Sequence, residues 1–120
     1  HQPCHAKVLD ADSPALNLMR LVPGLQIQFA EHGCSGMAGT FGLQRKNLRT
    51  SLRIGRGLVN TMKETHAQMG TTECTACKLQ MELLTDKPTV HPVAVLAYAY
   101  GTMPQLAAWF SSRNEGNLVN

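Results

Sequence analysis

The sequence predicts an α/β fold in which a small, largely parallel sheet is flanked by helices, with cysteines on strand-to-helix turns. Two observations predict it. Segments with the two-residue repeat of a strand alternate with segments that have the spacing of an amphipathic helix. The chain of 120 residues is 43% hydrophobic and 16% charged, which is typical of one globular domain and excludes a disordered or low-complexity chain. We expect a single domain over residues 1–112 and a loose polar tail over 113–120.

The first half of the chain contains two predicted helices, with a predicted strand and a loop between them. The first helix opens at Ser13-Pro14, and Pro23-Gly24 stops it. Alternating apolar residues predict a strand over 25–30, and three glycines within 36–42 predict a tightly turning loop. A long helix is expected over 43–65, with one apolar side. That side comprises Leu48, Leu52, Gly55, Val59 and Met62, and the two glycines Gly55 and Gly57 indicate close packing.

The second half predicts two strand-to-helix units. A strand end over 71–74 leads into a helix over 75–84, and a short strand at Val90 leads into a helix that starts at His91-Pro92 and ends before Gly101. A final short helix is expected from Met103 through Trp109 and Phe110.

Charge and hydropathy exclude several classes of function. The net charge of +3 is too small to predict nucleic-acid binding. The longest apolar stretch, 93–100, is far shorter than the ~20 residues that cross a bilayer. No Ser, His and Asp arrangement or marked carboxylate pair supports a hydrolase, so we expect no catalytic residue. The chain starts at His1 and reaches a cysteine at position 4, which suggests a piece of a longer polypeptide.

The cysteines are the strongest functional signal. They stand at positions 4, 34, 74 and 77, and the last two form a C-x2-C pair where a strand should give way to a helix. A turn at a helix start points both thiols the same way and favours the thiolate. Four cysteines fit zinc or an iron–sulfur cluster better than a redox dithiol, although dithiol and structural roles stay open. The neighbouring His1, His5 and His32 leave room for a mixed Cys and His site.

Four segments together resemble the cysteine-rich CCG domain family. They are HQPCH at 1–5, CSGMAGTFG at 34–42, ECTACKLQME at 73–82 and HP at 91–92. Within the family the likeness is to the iron–sulfur subunits of anaerobic glycerol-3-phosphate dehydrogenases and to the C-terminal modules of fused flavin and iron–sulfur dehydrogenases that act on 2-hydroxy acids. The resemblance covers about residues 1–102. The family pattern has two copies of the domain, and this chain resembles the second.

The resemblance implies a non-catalytic electron-transfer part of an oxidoreductase complex. Electrons would pass from a partner flavin dehydrogenase, oxidising glycerol 3-phosphate or a 2-hydroxy acid such as lactate or glycolate, towards a quinone or another acceptor. A ferredoxin-like domain and a first CCG domain would precede this one, and FAD would lie on the partner. The implied place is the cytoplasm, at the inner face of the membrane through partners. A structural zinc module that serves subunit assembly is the alternative.

The implied metal ligands are Cys4, Cys34, Cys74 and Cys77, with Ser35, Gly36 and Gly39 as further cofactor contacts. Ser35 stands where the family's Cys-Cys-Gly triplet has its second cysteine. Its absence puts a five-cysteine non-cubane cluster in doubt, but four thiolates suffice for a [4Fe–4S] cubane or for zinc. A hydroxyl is a hard ligand, so Ser35 is expected to hydrogen-bond a sulfur or the loop backbone, and the glycine amides to donate to cluster sulfurs.

A second stripe on the long helix is basic. It could dock an acidic partner or lie against anionic lipid, and the simpler interpretation is a solvated face. The stripe comprises Arg45, Arg49, Arg53, Arg56 and Lys63.

Overall fold

The described part of the chain contains five helices with defined bounds, a further helical segment over 105–108, and one small sheet. The computed structural model describes residues 1–9, 13–30 and 33–108. Two short helices come first, and two single 3-10 turns, Phe41–Leu43 and Arg45–Asn47, precede the longest helix. In chain order the helices and strands are α1 (Cys4–Leu9), α2 (Pro14–Met19), α3 (Leu48–Glu64), β1 (Gly70–Thr71), α4 (Thr75–Leu83), β2 (Thr89–Val90) and α5 (Pro92–Ala99).

The sheet is parallel and has two strands, as the α/β prediction requires. Gly70 pairs with Thr89 and Thr71 with Val90, and α4 forms the crossover between the strands. The Gly70 amide donates to the Pro88 carbonyl at 2.8 Å. This β-α-β unit places the start of α4, with its two cysteines, at the end of β1.

The predicted strand over 25–30 is wrong, because those residues form no strand within the described ranges. The alternation is present in the side chains of residues 25–28: Leu25 and Ile27 are half-buried, whereas Gln26 and Gln28 are exposed. It is reversed at Phe29, which is 41% exposed, and at Ala30, which is buried. The apolar side chains of the segment face side chains of the helices, and both sets line a partly open cavity of about 100 Å³. Alternation reports a half-buried face, but a strand also needs a neighbouring backbone to bond with.

The long helix begins at Leu48, five residues later than predicted. Gln44 has extended backbone angles (φ −77°, ψ 128°), which separate the two 3-10 turns and let the chain fold back over α3. If α3 began at residue 43, residues 43–47 would continue along the helix axis and could not fold back against the helix. The apolar side also differs from the prediction, since Leu48 is 42% exposed. The buried residues of α3 are Ser51, Gly55, Leu58, Val59 and Met62.

The remaining helix predictions agree with the structure where it describes them. Ser13 caps α2 by accepting a hydrogen bond from the Leu16 amide, and His91 caps α5 by accepting one from the Val93 amide at 3.1 Å. Helix α2 packs on α5. Of the predicted final helix, residues 105–108 are helical, and Trp109 and Phe110 lie outside the described residues, as does the tail over 113–120.

The core is rich in methionine and lies between α3, α4 and residue 30. It comprises Ala30, Leu58, Met62 and Met81. Unbranched methionine side chains fill irregular gaps of this kind. No helix in the described ranges is long and apolar enough to cross a membrane.

Candidate metal centre

The four cysteines come from three separate parts of the fold. Cys4 is the exposed first residue of α1, and Cys34 is half-buried in the loop that follows residue 33. Cys74 is the N-cap of α4, directly after β1, and Cys77 is buried in the first turn of that helix. No strand precedes Cys4 or Cys34 within the described ranges, in contrast to the predicted strand-to-helix turns. All four are free thiols.

The cysteine side chains interact in a continuous series. Cys34 raises the pKa of Cys4 and of Cys77, and Cys74 also raises the pKa of Cys77. The four cysteines are therefore neighbours in pairs, from Cys4 through Cys34 and Cys77 to Cys74. Zinc and iron–sulfur clusters are the groups in proteins that four neighbouring thiolates characteristically bind.

The electrostatics favour a neutral thiol at Cys77, in contrast to the thiolate expected at a helix start. The pKa of Cys77 is raised to about 11: burial is the main cause, the Ser35 hydroxyl lowers the pKa, and the neighbouring Cys74 and Cys34 raise it. The pKa of Cys4 is also raised, by burial first and then by Cys34. Thiols that oppose one another's ionisation in this way ionise most readily when a cation neutralises the charge.

Two hydrogen bonds reach the cysteine sulfurs from the 34–36 loop. The Ser35 hydroxyl donates to Cys77 Sγ at 3.2 Å, and the Gly36 amide donates to Cys34 Sγ at 3.2 Å. The Ser35 oxygen also accepts a hydrogen bond from the Met37 amide at 3.4 Å. Ser35 is 1% exposed, so its hydroxyl forms its hydrogen bonds within this site and not with bulk solvent. Both donors are residues that the sequence singled out, and both act on sulfur.

The loop that holds Cys34 rests directly on the backbone of α3. A Cβ on Gly36, whose φ is 90°, would lie 2.1 Å from the Ser51 carbonyl oxygen. A Cβ on Gly55 would lie 2.2 Å from the Ser35 carbonyl oxygen. The predicted close packing is therefore confirmed at Gly55, where it fixes the distance between the loop and the helix. The same prediction is wrong for Gly57, which is exposed.

Gly39 has a different place. It is exposed, its φ is 66°, and nothing lies within 4 Å of where its Cβ would be. Its conformation serves the turn that leads to the first 3-10 segment.

The histidines do not complete a mixed site in the described part of the chain. No three His, Cys, Asp or Glu side chains in residues 1–9, 13–30 and 33–108 are arranged to hold a single metal ion. His5 is exposed beside Cys4, and His32 lies outside the described residues. An iron–sulfur cluster needs a different arrangement, because its thiolates bind separate irons. The donor set of four thiols, two of which accept hydrogen bonds, fits such a cluster.

Sequence reasoning missed Gln80, which lies one turn after Cys77 on α4. Its side chain is 1% exposed, and its Nε2 is buried without a hydrogen-bond partner. Nε2 would lie 3.1 Å from a Cβ on Gly55, so this amide borders the contact between the loop and α3. The three-residue spacing from Cys77 was the available signal, because residues three apart share a helix face.

Lys78 differs from the exposed helix lysine that its sequence position suggests. Its ammonium donates to Glu82 Oε1 at 2.6 Å and to the Thr89 carbonyl at 2.7 Å. Glu82 Oε1 also accepts from the Thr89 amide at 2.8 Å. The pair thus joins α4 to β2 and holds the helix that bears the C-x2-C cysteines.

Comparison with known proteins identifies the family of the chain. The family model described as a cysteine-rich domain, CCG, matches residues 1–82. The chain is 36% identical over 99 residues to the C subunit of the anaerobic glycerol-3-phosphate dehydrogenase of Escherichia coli strain K12, and equally to that of strain O157:H7. The match covers 82% of this chain and 25% of each relative, so the chain spans about a quarter of their length. No solved structure matches. The chain belongs to the CCG cysteine-rich domain family.

Proposed function

We propose that this domain binds an iron–sulfur cluster through Cys4, Cys34, Cys74 and Cys77 and transfers electrons within a dehydrogenase complex. The pairwise proximity of the cysteines, from Cys4 through Cys34 and Cys77 to Cys74, is the observation that carries the proposal. Membership of the CCG family, and the likeness to a dehydrogenase subunit, support it. The cluster, for which a [4Fe–4S] cubane is our choice, would supply one-electron oxidation and reduction.

The chain's own residues would set the properties of the site. The four thiols would bind iron as thiolates. The positive charge of the iron would lower the proton affinity of these sulfurs and offset the repulsion between the Cys77 and Cys34 thiolates. Hydrogen bonds from the Ser35 hydroxyl and the Gly36 amide withdraw negative charge from sulfur, which favours the reduced state and raises the reduction potential. Gly39 would add an amide from the neighbouring turn. The buried α3 contact keeps water from the inner side of the loop.

The partners and the place in the cell are part of the same proposal. The electron donor is a flavin dehydrogenase domain or subunit that holds FAD and oxidises glycerol 3-phosphate or a 2-hydroxy acid. A ferredoxin-like domain and a first CCG domain lie on the same chain or complex, and a quinone or another acceptor receives the electrons. Four free thiols suit the reducing cytoplasm, where partners would hold the domain at the inner face of the membrane.

Metal analysis of the chain purified without oxygen tests the proposal. We expect about four irons and four acid-labile sulfides per chain, the composition of a cubane, with a visible absorption band that bleaches on reduction. Changing any one of the four cysteines to serine should lower iron and sulfide together. Thr75→Ser, at the exposed first residue of α4 between Cys74 and Cys77, is the matched control and should keep both.

Two outcomes would contradict the proposal. One zinc without sulfide would assign the domain to structural assembly instead. Unchanged electron transfer by the Cys4→Ser variant would indicate a redox dithiol at Cys74 and Cys77, because thiol–disulfide exchange needs only that pair.

A further inference from the structure

One face of α3 presents a stripe of positive charge that the cysteine site does not use. Its cations stand at positions 49, 53, 56 and 63, spaced by four, three and seven residues, so they share one side of the helix. The stripe extends about 21 Å at 1.5 Å per residue. All four side chains are exposed. Within the described ranges, none of these four side chains forms an ion pair with a carboxylate. The ion pair found in those ranges joins Lys78 to Glu82, outside the stripe.

The stripe lines a groove rather than a convex surface. Leu52, Val59 and Leu84 lie between the cations, and Val59 is buried while the two leucines are half-buried. Among the described residues that line the groove there is no Asp or Glu. The groove therefore combines an apolar floor with uncompensated positive walls.

We propose that this groove docks an acidic segment of a partner protein. Three of the four cations are arginines, whose planar guanidinium groups bind carboxylates through two parallel hydrogen bonds. A polypeptide segment with acidic residues at helical spacing would match the charges along the stripe, and its aliphatic groups would cover the apolar floor. A bilayer is flat and would meet the rims of the groove without reaching Val59. The shape thus favours a protein segment over a lipid surface.

The position of the groove gives the docking a use. Arg53 and Arg56 lie on the side of α3 opposite Ser51 and Gly55, which contact the 35–36 loop. One helix, about 10 Å in diameter, separates the groove from the loop that holds Cys34. A protein docked there would lie close to the cysteine cluster, and in this respect the inference rests on the proposed function. The docking itself requires no cluster.

Binding of a labelled acidic peptide to the chain tests the docking. The probe is a helical peptide with glutamates at the spacing of the stripe, measured by fluorescence anisotropy at low salt, and the same peptide with lysines is the negative probe. Arg53→Glu with Arg56→Glu should weaken binding by about tenfold or more. The control is Arg20→Glu with Lys46→Glu, two exposed residues outside the groove, which lowers the net charge from +3 to −1 just as the groove variant does. Urea midpoints of both variants verify folding.

Each outcome decides between the proposal and an alternative. Loss of peptide binding in the groove variant alone supports the proposal. Equal loss in both variants would reduce the effect to net charge, and no binding by the parent chain would leave the stripe as a solvated face; both results overturn it. Vesicles with phosphatidylglycerol that bind through the groove when the peptide does not would assign the face to a membrane instead. Iron and sulfide, measured on the same samples, report separately on the cluster.

Discussion

The contact between Gly55 and the Ser35 carbonyl predicts opposite effects for two glycine substitutions on one helix. Gly57 is exposed, so Gly57→Ala should stabilise the chain by about 1 kcal/mol, the difference in helix propensity between the two residues. Gly55→Ala gains the same propensity, but its Cβ would lie 2.2 Å from a backbone oxygen that has no rotamer to move into. Overpacking of this kind costs about 1–3 kcal/mol.

We therefore expect Gly55→Ala to be less stable than Gly57→Ala by about 1–3 kcal/mol, because the propensity gain is common to both. Urea unfolding followed by circular dichroism measures the two free energies of unfolding, provided that the slopes of the transitions agree. The shift of the 35–36 loop that relieves the clash should also increase the rate at which Cys34 reacts with a thiol reagent. Equal stabilities of the two variants would refute the backbone contact.

Three further predictions concern single hydrogen bonds. In the metal-free chain, Ser35→Ala removes the donor to Cys77 Sγ and should raise the pKa of that thiol further above about 11, measured from the pH dependence of alkylation; an unchanged pKa would count against the bond. Glu82→Ala leaves the buried Thr89 amide without this acceptor and should lower the free energy of unfolding by about 1–3 kcal/mol, whereas a neutral effect would contradict the α4–β2 link. His91→Ala removes the cap of α5 and should cost about 1 kcal/mol in the same assay, and His91→Asn should restore most of it if capping is the cause.

The sequence predicted several helix bounds that depend on local chemistry, but it did not predict the short helix α1 (Cys4–Leu9). The caps at Ser13 and His91 and the ends of α4 follow from side chains next to the helices they bound. The segment 25–30 shows the limit of such reasoning. Its half-buried and exposed side chains alternate over 25–28 and not at Phe29 and Ala30, and a local pattern cannot show whether a neighbouring backbone is available for pairing.

The candidate site shows the same division. The spacing of Cys74 and Cys77 predicts that these two thiols share a turn, because only two residues separate them along the chain. The interaction of Cys77 with Cys34, and that of Cys34 with Cys4, depends on how the 34–36 loop packs on α3. Gln80 could not be singled out from its residue type, since an unpaired buried amide becomes visible only when its surroundings are known.

If the proposed function is right, the contact of the 35–36 loop with α3 has a consequence for the speed of electron transfer. It joins main chain to main chain at Gly36 and Gly55, so no side-chain rotamer can change the position of the loop. A site whose surroundings stay in place when its charge changes has a small reorganisation energy, because its dipoles are already oriented. We expect the fixed position of the loop that holds Cys34 to keep the reorganisation energy low. Glycine at positions 36 and 55 would then be needed for the rate of electron transfer as well as for the structure.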